Sequence, residues 1–175
     1  MAHGRLVFRP VDPCCEHALA LLHEAALEAR DLYPDLHSPD APWPANQPTP
    51  PGGIYLLAYL DGEPVACGAL RPLSRHAVEI RRMYVLRSAR RQGLARAMLT
   101  VLEQAAAGLG YTVIRLETGE RQDPAISLYL ACGFVSIPAF GEYASDPVSR
   151  CFEKPVAPKQ PGAGAAFRAP GDDPG

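Results

Sequence analysis

The sequence predicts a mixed α/β domain organised around one sheet, and three observations carry that expectation. Strand-like and helix-like runs follow one another in the order β-α-β-β-β-α-β-α-β-β. An Asp61-Gly62 pair sits between two apolar runs, the strongest short hairpin signal in the chain. Apolar residues make up 47% of the 175 and charged residues 21%, a balance that supports one domain with a buried core.

The elements follow in order. Arg5 to Arg9 reads as a first strand, and Asp12 with Pro13 behind it reads as the cap and first position of a helix. Leu19, Leu22, Ala26 and Ala29 keep helical spacing after it. Ile54 to Leu60 and Pro64 to Leu70 flank the hairpin turn, and Val78 to Val85 is a further strand. The clearest helix carries a stripe of Leu94, Met98, Val101, Leu102, Ala105 and Leu109, ended by Gly108 and Gly110. Thr112 to Leu116 is a β-branched strand. Asp123-Pro124 opens a helix that Gly133 stops, and Phe134 to Ile137 and Ser149 to Glu153 are short final strands.

Composition excludes several classes of function. Seventeen basic against nineteen acidic residues leave a net charge of −2, which argues against binding nucleic acid through phosphates. The longest apolar run, Ile54 to Leu60, is far short of the about 20 residues that span a membrane. No hydrophobic stretch precedes the first charges, so a cytoplasmic location is expected. The five cysteines form no Cys-x-x-Cys pair and the histidines are scattered, so neither a disulfide framework nor a metal site is expected. Seven of the nineteen prolines fall between Pro34 and Pro51, in a segment that also holds Tyr33, Leu36 and Trp43. A loop this long inside a compact domain reads as a lid or binding loop. The stretch from 155 to 175 is poor in large apolar residues and is expected to be a disordered tail, leaving 1–154 as the domain.

The chemistry concentrates where the fourth strand meets the long helix. Arg90-Arg91-Gln92-Gly93-Leu94-Ala95 is a turn that opens onto a helix N-terminus, where unpaired N–H groups and the positive end of the helix dipole favour phosphate or diphosphate. Gly93 and Ala95 are small where backbone would approach a ligand. The turn has neither the Gly-Lys-Ser/Thr ending of a P-loop nor a Gly-x-Gly-x-x-Gly fingerprint.

With its surroundings, this turn resembles the GNAT superfamily of acetyl-CoA-dependent N-acetyltransferases, in particular a small bacterial subgroup. The family's Gln/Arg-x-x-Gly-x-Gly/Ala motif is matched by Arg90, Gly93 and Ala95. Glu79-Ile80-Arg81-Arg82-Met83-Tyr84-Val85 resembles its cofactor-binding strand, and Ala125 to Phe134 resembles its Ala-Ile-x-Leu-Tyr-x-x-x-Gly-Phe signature. The resemblance covers about Leu6 to Lys154. It implies a mostly antiparallel central sheet, split to admit acetyl-CoA, with helices on both faces.

It also implies a site. Met83, Tyr84 and Val85 would pair with the pantetheine arm like an added strand. The amides of Arg90, Arg91, Gln92, Gly93, Leu94 and Ala95 would hold the diphosphate, with Arg90, Arg91 and Arg96 adding charge. Gln122 replaces a family asparagine that contacts the cofactor. Arg91 replaces a frequent glycine, which ordinary helical or β dihedrals would tolerate. Tyr129 would protonate the departing thiolate, and Glu79 would be the general base. Against these roles stand packing for Tyr129 and a surface ion pair for Glu79. Glu117 reads as an internally bonded or substrate-facing carboxylate, and Tyr143 as a packed or pocket-lining aromatic.

The implied reaction is acetyl transfer from acetyl-CoA to a primary amine of a small molecule, by direct attack in a ternary complex, in a monomer or homodimer. The alternatives are acetylation of protein lysines or N-termini, and a non-catalytic acyl-CoA sensor. Asp31, Asp35 and Asp40, in a Pro-rich segment without Lys or Arg, lead to the expectation of a cationic acceptor.

Overall fold

The computed structural model describes residues 4–157. One sheet of seven strands runs β1(Leu6–Pro10), β2(Ile54–Leu60), β3(Glu63–Pro72), β4(Ala77–Val85), β5(Val113–Gly119), β7(Ser149–Pro155), β6(Val135–Ile137) across its width. Every neighbouring pair is antiparallel except β4 and β5. The expected mixed and mostly antiparallel sheet is therefore present. The β2–β3 hairpin forms on Asp61 and Gly62, both at positive φ (51° and 87°), as a right-twisting two-residue turn requires.

Helices cover both faces. On one, α2(Leu94–Gly108) lays Met98, Leu99, Leu102 and Ala106 on Leu56, Ala66, Leu70, Val78, Ile80, Ile114 and Leu116, the main core. The short helix α3(Asp123–Ala131) adds Tyr129 to the same core. On the other face, α1(Glu16–Leu32) packs Ala18 and Leu21 against Tyr55, Leu57 and Cys67. Gly68 permits the close seating of α2, because a Cβ there would stand 2.8 Å from a Leu102 methyl.

Two local expectations are corrected. Asp12 does not cap α1: its carboxylate accepts the Cys14 N–H at 2.8 Å and closes a turn of its own, so the helix starts after Cys15. Asp prefers such local side-chain bonds, and they compete with helix. Leu109 leaves the predicted stripe, being 47% exposed just past the helix end, and Leu99 is buried in the stripe instead. The Val156 amide, just past β7, donates to the Thr112 carbonyl at 2.8 Å. The tail predicted to be disordered lies, from 158 on, outside the described residues.

Candidate active site

The sheet opens between its two parallel strands. β4 and β5 pair only from Ala77–Val113 to Ile80–Leu116. Beyond that, Glu117 to Gly119 stay with β7, while Arg81 to Val85 keep β3 alone. A bulge marks the parting point: Arg82 takes φ 58°, in the left-handed region, and the β3–β4 register slips there. The outcome is an unpaired strand edge facing a cleft of about 860 Å³.

That edge leads directly to the start of α2. Gly93 caps the helix at φ 76°, with no side-chain cap, and a Cβ there would meet nothing within 4 Å. The Ala97 N–H is the first to close onto the helix, donating to the Gly93 carbonyl. Among the described residues, the amides from Arg91 to Arg96 therefore have no backbone acceptor. Together with roughly half a positive charge from the helix dipole, they make an anion cradle. All the residues predicted to hold the coenzyme line this cleft except Gln92, whose side-chain Nε2 donates to the Ala89 carbonyl.

Three arginines were expected to add charge here, and the structure divides them. Arg90 is already engaged: its Nε donates to the Val85 carbonyl at 3.0 Å and its Nη2 to Glu28 at 2.6 Å. Tyr84 donates to the same Glu28 carboxylate at 3.0 Å. Burial alone would push the Glu28 carboxyl up, but these two hydrogen bonds outweigh it and hold it below its usual value. Arg91 and Arg96 have no ion-pair partner among the described residues and remain available to an anion. Arg91, however, has φ 64°. The ordinary dihedrals under which this replacement of glycine would be tolerated are absent, and the side chain is carried at a strained position.

The deep end of the cleft is formed by α3 and β5. Tyr129 is 6% exposed, packed on Phe134 and Phe152, and its hydroxyl has no protein hydrogen-bond partner among the described residues. Burial, with the nearby Glu117 charge adding to it, pushes its hydroxyl up to about 12, so it stays protonated at neutral pH. Glu117 lines the same space and accepts a hydrogen bond from Ser149 at 2.8 Å. Burial pushes its carboxyl above the usual value, against the opposing bond from Ser149. Glu117 is thus internally bonded, as one reading of the sequence has it, and it borders the cleft.

Glu79 is placed elsewhere. It is 1% exposed and does not line the cleft. One carboxylate oxygen takes Arg71 at 2.7 Å, and the other takes the Tyr143 hydroxyl at 2.6 Å. Arg71 in turn meets Glu142, and Glu142 meets Arg81 at 2.9 Å. The predicted base is thus the root of an ion-pair lattice beneath the cleft, with Tyr143 as its packed partner. Sequence reasoning passed over this because Arg71 and Glu142 are far apart in the chain. The cross-strand pairing of Arg71 with Glu79 is visible only once the β3–β4 register is known.

The Pro-rich segment wraps the mouth. Asn46, 9% exposed, donates to the Pro13 carbonyl and the Tyr55 hydroxyl and accepts from Arg82 Nε at 3.1 Å. Trp43 lies under the Arg30 guanidinium, 3.7 Å from ring centre to carbon. Of the acidic residues thought to attract a cation, none lines the cleft, and Asp35 is held by both Arg121 nitrogens. Pro44 of this segment lines the cleft, while its aspartates lie off it.

No group of three or more potential metal ligands occurs among the described residues, and none of their helices is long and apolar enough to cross a membrane. Comparison with known proteins agrees with the geometry. A 36% identical match over 103 residues links the chain to an IAA acetyltransferase of Azospirillum brasilense, covering 58% of this chain and 67% of that one. A Klebsiella pneumoniae structure described as an acyl-CoA N-acyltransferase superposes with TM-score 0.71 at 32% identity, over 86% of this chain and 97% of that one. A GNAT acetyltransferase of Elizabethkingia anophelis, solved with acetyl-CoA bound, shares the fold at TM-score 0.63 and 16% identity, over 86% and 98% of the two chains. The sequence profile of the Acetyltransferase (GNAT) family matches residues 19–134. The parted sheet, the open helix start and these matches agree: this chain belongs to the GNAT family of acetyltransferases.

Proposed function

We propose that the protein transfers an acetyl group from acetyl-CoA to a primary amine of a small molecule, with both reactants held in the one cleft. The observation that carries this reading is continuity. An uncapped helix start, a free strand edge and a buried phenol all border a single cavity, and they suit in turn the diphosphate, the arm and the sulfur of a thioester coenzyme. The residues present suit such a molecule. The edge from Arg81 to Val85 supplies amides and carbonyls for an extended amide chain. The amides from Arg91 to Arg96 suit a diphosphate, with the Arg91 and Arg96 side chains beside them. Gln122, capping α3 and lining the cleft, adds an amide.

Proton transfer needs one group on each side of the acetyl carbon. Glu117, lining the deep end, takes the proton of the attacking amine directly or through water. Its raised carboxyl is a stronger base than a solvated glutamate. Tyr129, neutral and without a hydrogen-bond partner among the described residues, donates to the departing thiolate. Glu79 acts as a positioning residue: through Arg71 and Glu142 it fixes Arg81, which lines the cleft on the strand that parts from β5. A thiol is a good leaving group, so alignment of amine and thioester supplies much of the rate.

Calorimetry with acetyl-CoA and a thiol-release assay over a panel of amines test the reading. Heat of binding together with turnover on at least one small amine is the expected result. Turnover confined to folded proteins or peptides would move the acceptor to the macromolecular class. Binding without turnover on any amine would make the protein a sensor.

A further inference from the structure

The acyltransferase reading leaves open what else the acceptor carries besides its amine, and any inference about that second group rests on it. The charge around the acceptor side of the cleft bears on this. Extending the β4–β5 register by one residue, past the last pair of neighbours, sets Arg81 across the opening from Glu117. Arg82 follows Arg81, and both line the cavity. Arg81 is partly neutralised by Glu142. Arg82 has no carboxylate partner among the described residues: Nε donates to Asn46 and Nη2 to the Ala45 carbonyl at 3.1 Å, which leaves Nη1 without a protein acceptor.

The Arg82 guanidinium is held in place. Asn46 is itself fixed by bonds to Pro13 and Tyr55, so the fork is clamped by a buried amide. Its backbone sits at φ 58°, a costly conformation for arginine that persists only when the surroundings impose it. Burial, and after it the adjacent Arg81 charge, push Arg82 below the usual guanidinium value. The fold thus holds a half-buried cation, beside a second one, with no carboxylate among the described residues to compensate it, and an uncompensated buried charge is unfavourable until a ligand supplies the counter-charge.

We propose that Arg82, with Arg81 beside it, recognises a carboxylate on the acceptor, so that the substrate class is an aminocarboxylate: a free amino acid or a close relative. The amine lies toward Glu117 and the thioester, and the carboxylate meets the open Nη1 of Arg82. A lysine side chain within a protein lacks this carboxylate, and a polyamine carries the wrong sign for the site.

The test uses triplets of acceptors that differ only in the anionic group: glycine, leucine, phenylalanine and methionine, each beside its α-amide and its decarboxylated amine. Thiol release is followed at saturating acetyl-CoA, and calorimetry with acetyl-CoA alone is run in parallel. The expected result is a kcat/KM at least about tenfold higher for the acid in one or more triplets, carried by KM, the factor a single charge-assisted hydrogen bond supplies. Arg82→Gln should collapse that ratio toward one and Arg82→Lys should restore part of it, each melting cooperatively. Equal or reversed preference in every triplet that turns over overturns the proposal and leaves the acyltransferase reading intact. So does turnover of other amines with none of these acids. An absence of heat with acetyl-CoA removes the acyltransferase reading, and the carboxylate proposal falls with it.

Discussion

Replacing Tyr143 by Phe probes the lattice beneath the cleft. The Tyr143 hydroxyl donates to Glu79 at 2.6 Å, and Glu79 is 1% exposed, so water has little access to replace the lost donor. The other carboxylate oxygen keeps Arg71, which limits the damage to one hydrogen bond on a charged, buried group. Such a bond contributes about 1.5–3 kcal/mol, and the expected loss is about 2 kcal/mol. For a chain of this size that corresponds to a fall in Tm of roughly 4–8 °C. Urea unfolding by circular dichroism, with an unchanged m-value, measures it. A loss below about 0.5 kcal/mol would show that the hydroxyl does not hold Glu79 and would refute this reasoning.

Other perturbations separate the remaining roles. Glu117→Gln should lower kcat/KM by about 100-fold or more, as loss of a general base does, and a retained rate would exclude Glu117 as the base. The same change should stabilise the fold at pH 7 but not at pH 4. The Glu117 carboxyl is raised in the fold, so its contribution is complete below the unfolded value of 4.5 and is lost as pH rises through the folded one. Urea midpoints that do not depend on pH in this way would refute the shift. Tyr129→Phe should reduce kcat while acetyl-CoA affinity by calorimetry stays within about twofold; an unchanged kcat removes the acid role. Arg91→Gly should add about 0.5–1 kcal/mol of stability, because the left-handed cost of roughly 1–2 kcal/mol exceeds the extra entropy glycine loses. A destabilised Arg91→Gly protein would show that Arg91 makes a compensating contact.

Much of the architecture was legible because it depends on local pattern. The β2 run from Ile54 to Leu60 was read to the residue, and the apolar stripe that begins at Leu94 lies on α2, since a hairpin turn and a glycine-opened helix are set by adjacent residues. The lining of the candidate site was legible wherever a short motif lay on one element, as with the turn before α2 and Tyr129 on α3. It was obscured where function depends on partners distant in sequence. The resemblance implies Glu79 as the base, and in the structure Arg71 and Tyr143 occupy both its oxygens. The acidic loop looked like a cation trap because charge was counted along the chain; Asp35 meets Arg121, 86 residues away.

The four-residue parallel pairing of β4 and β5 has a mechanical consequence. The two wings of the sheet are joined there by a short seam, reinforced at the rim where Tyr33 accepts the Arg121 amide and Arg121 grips Asp35. A molecule wedged into the opening would rivet one wing to the other, so occupancy should be felt as rigidity far from the wedge, in the amide exchange of β5 as much as β4.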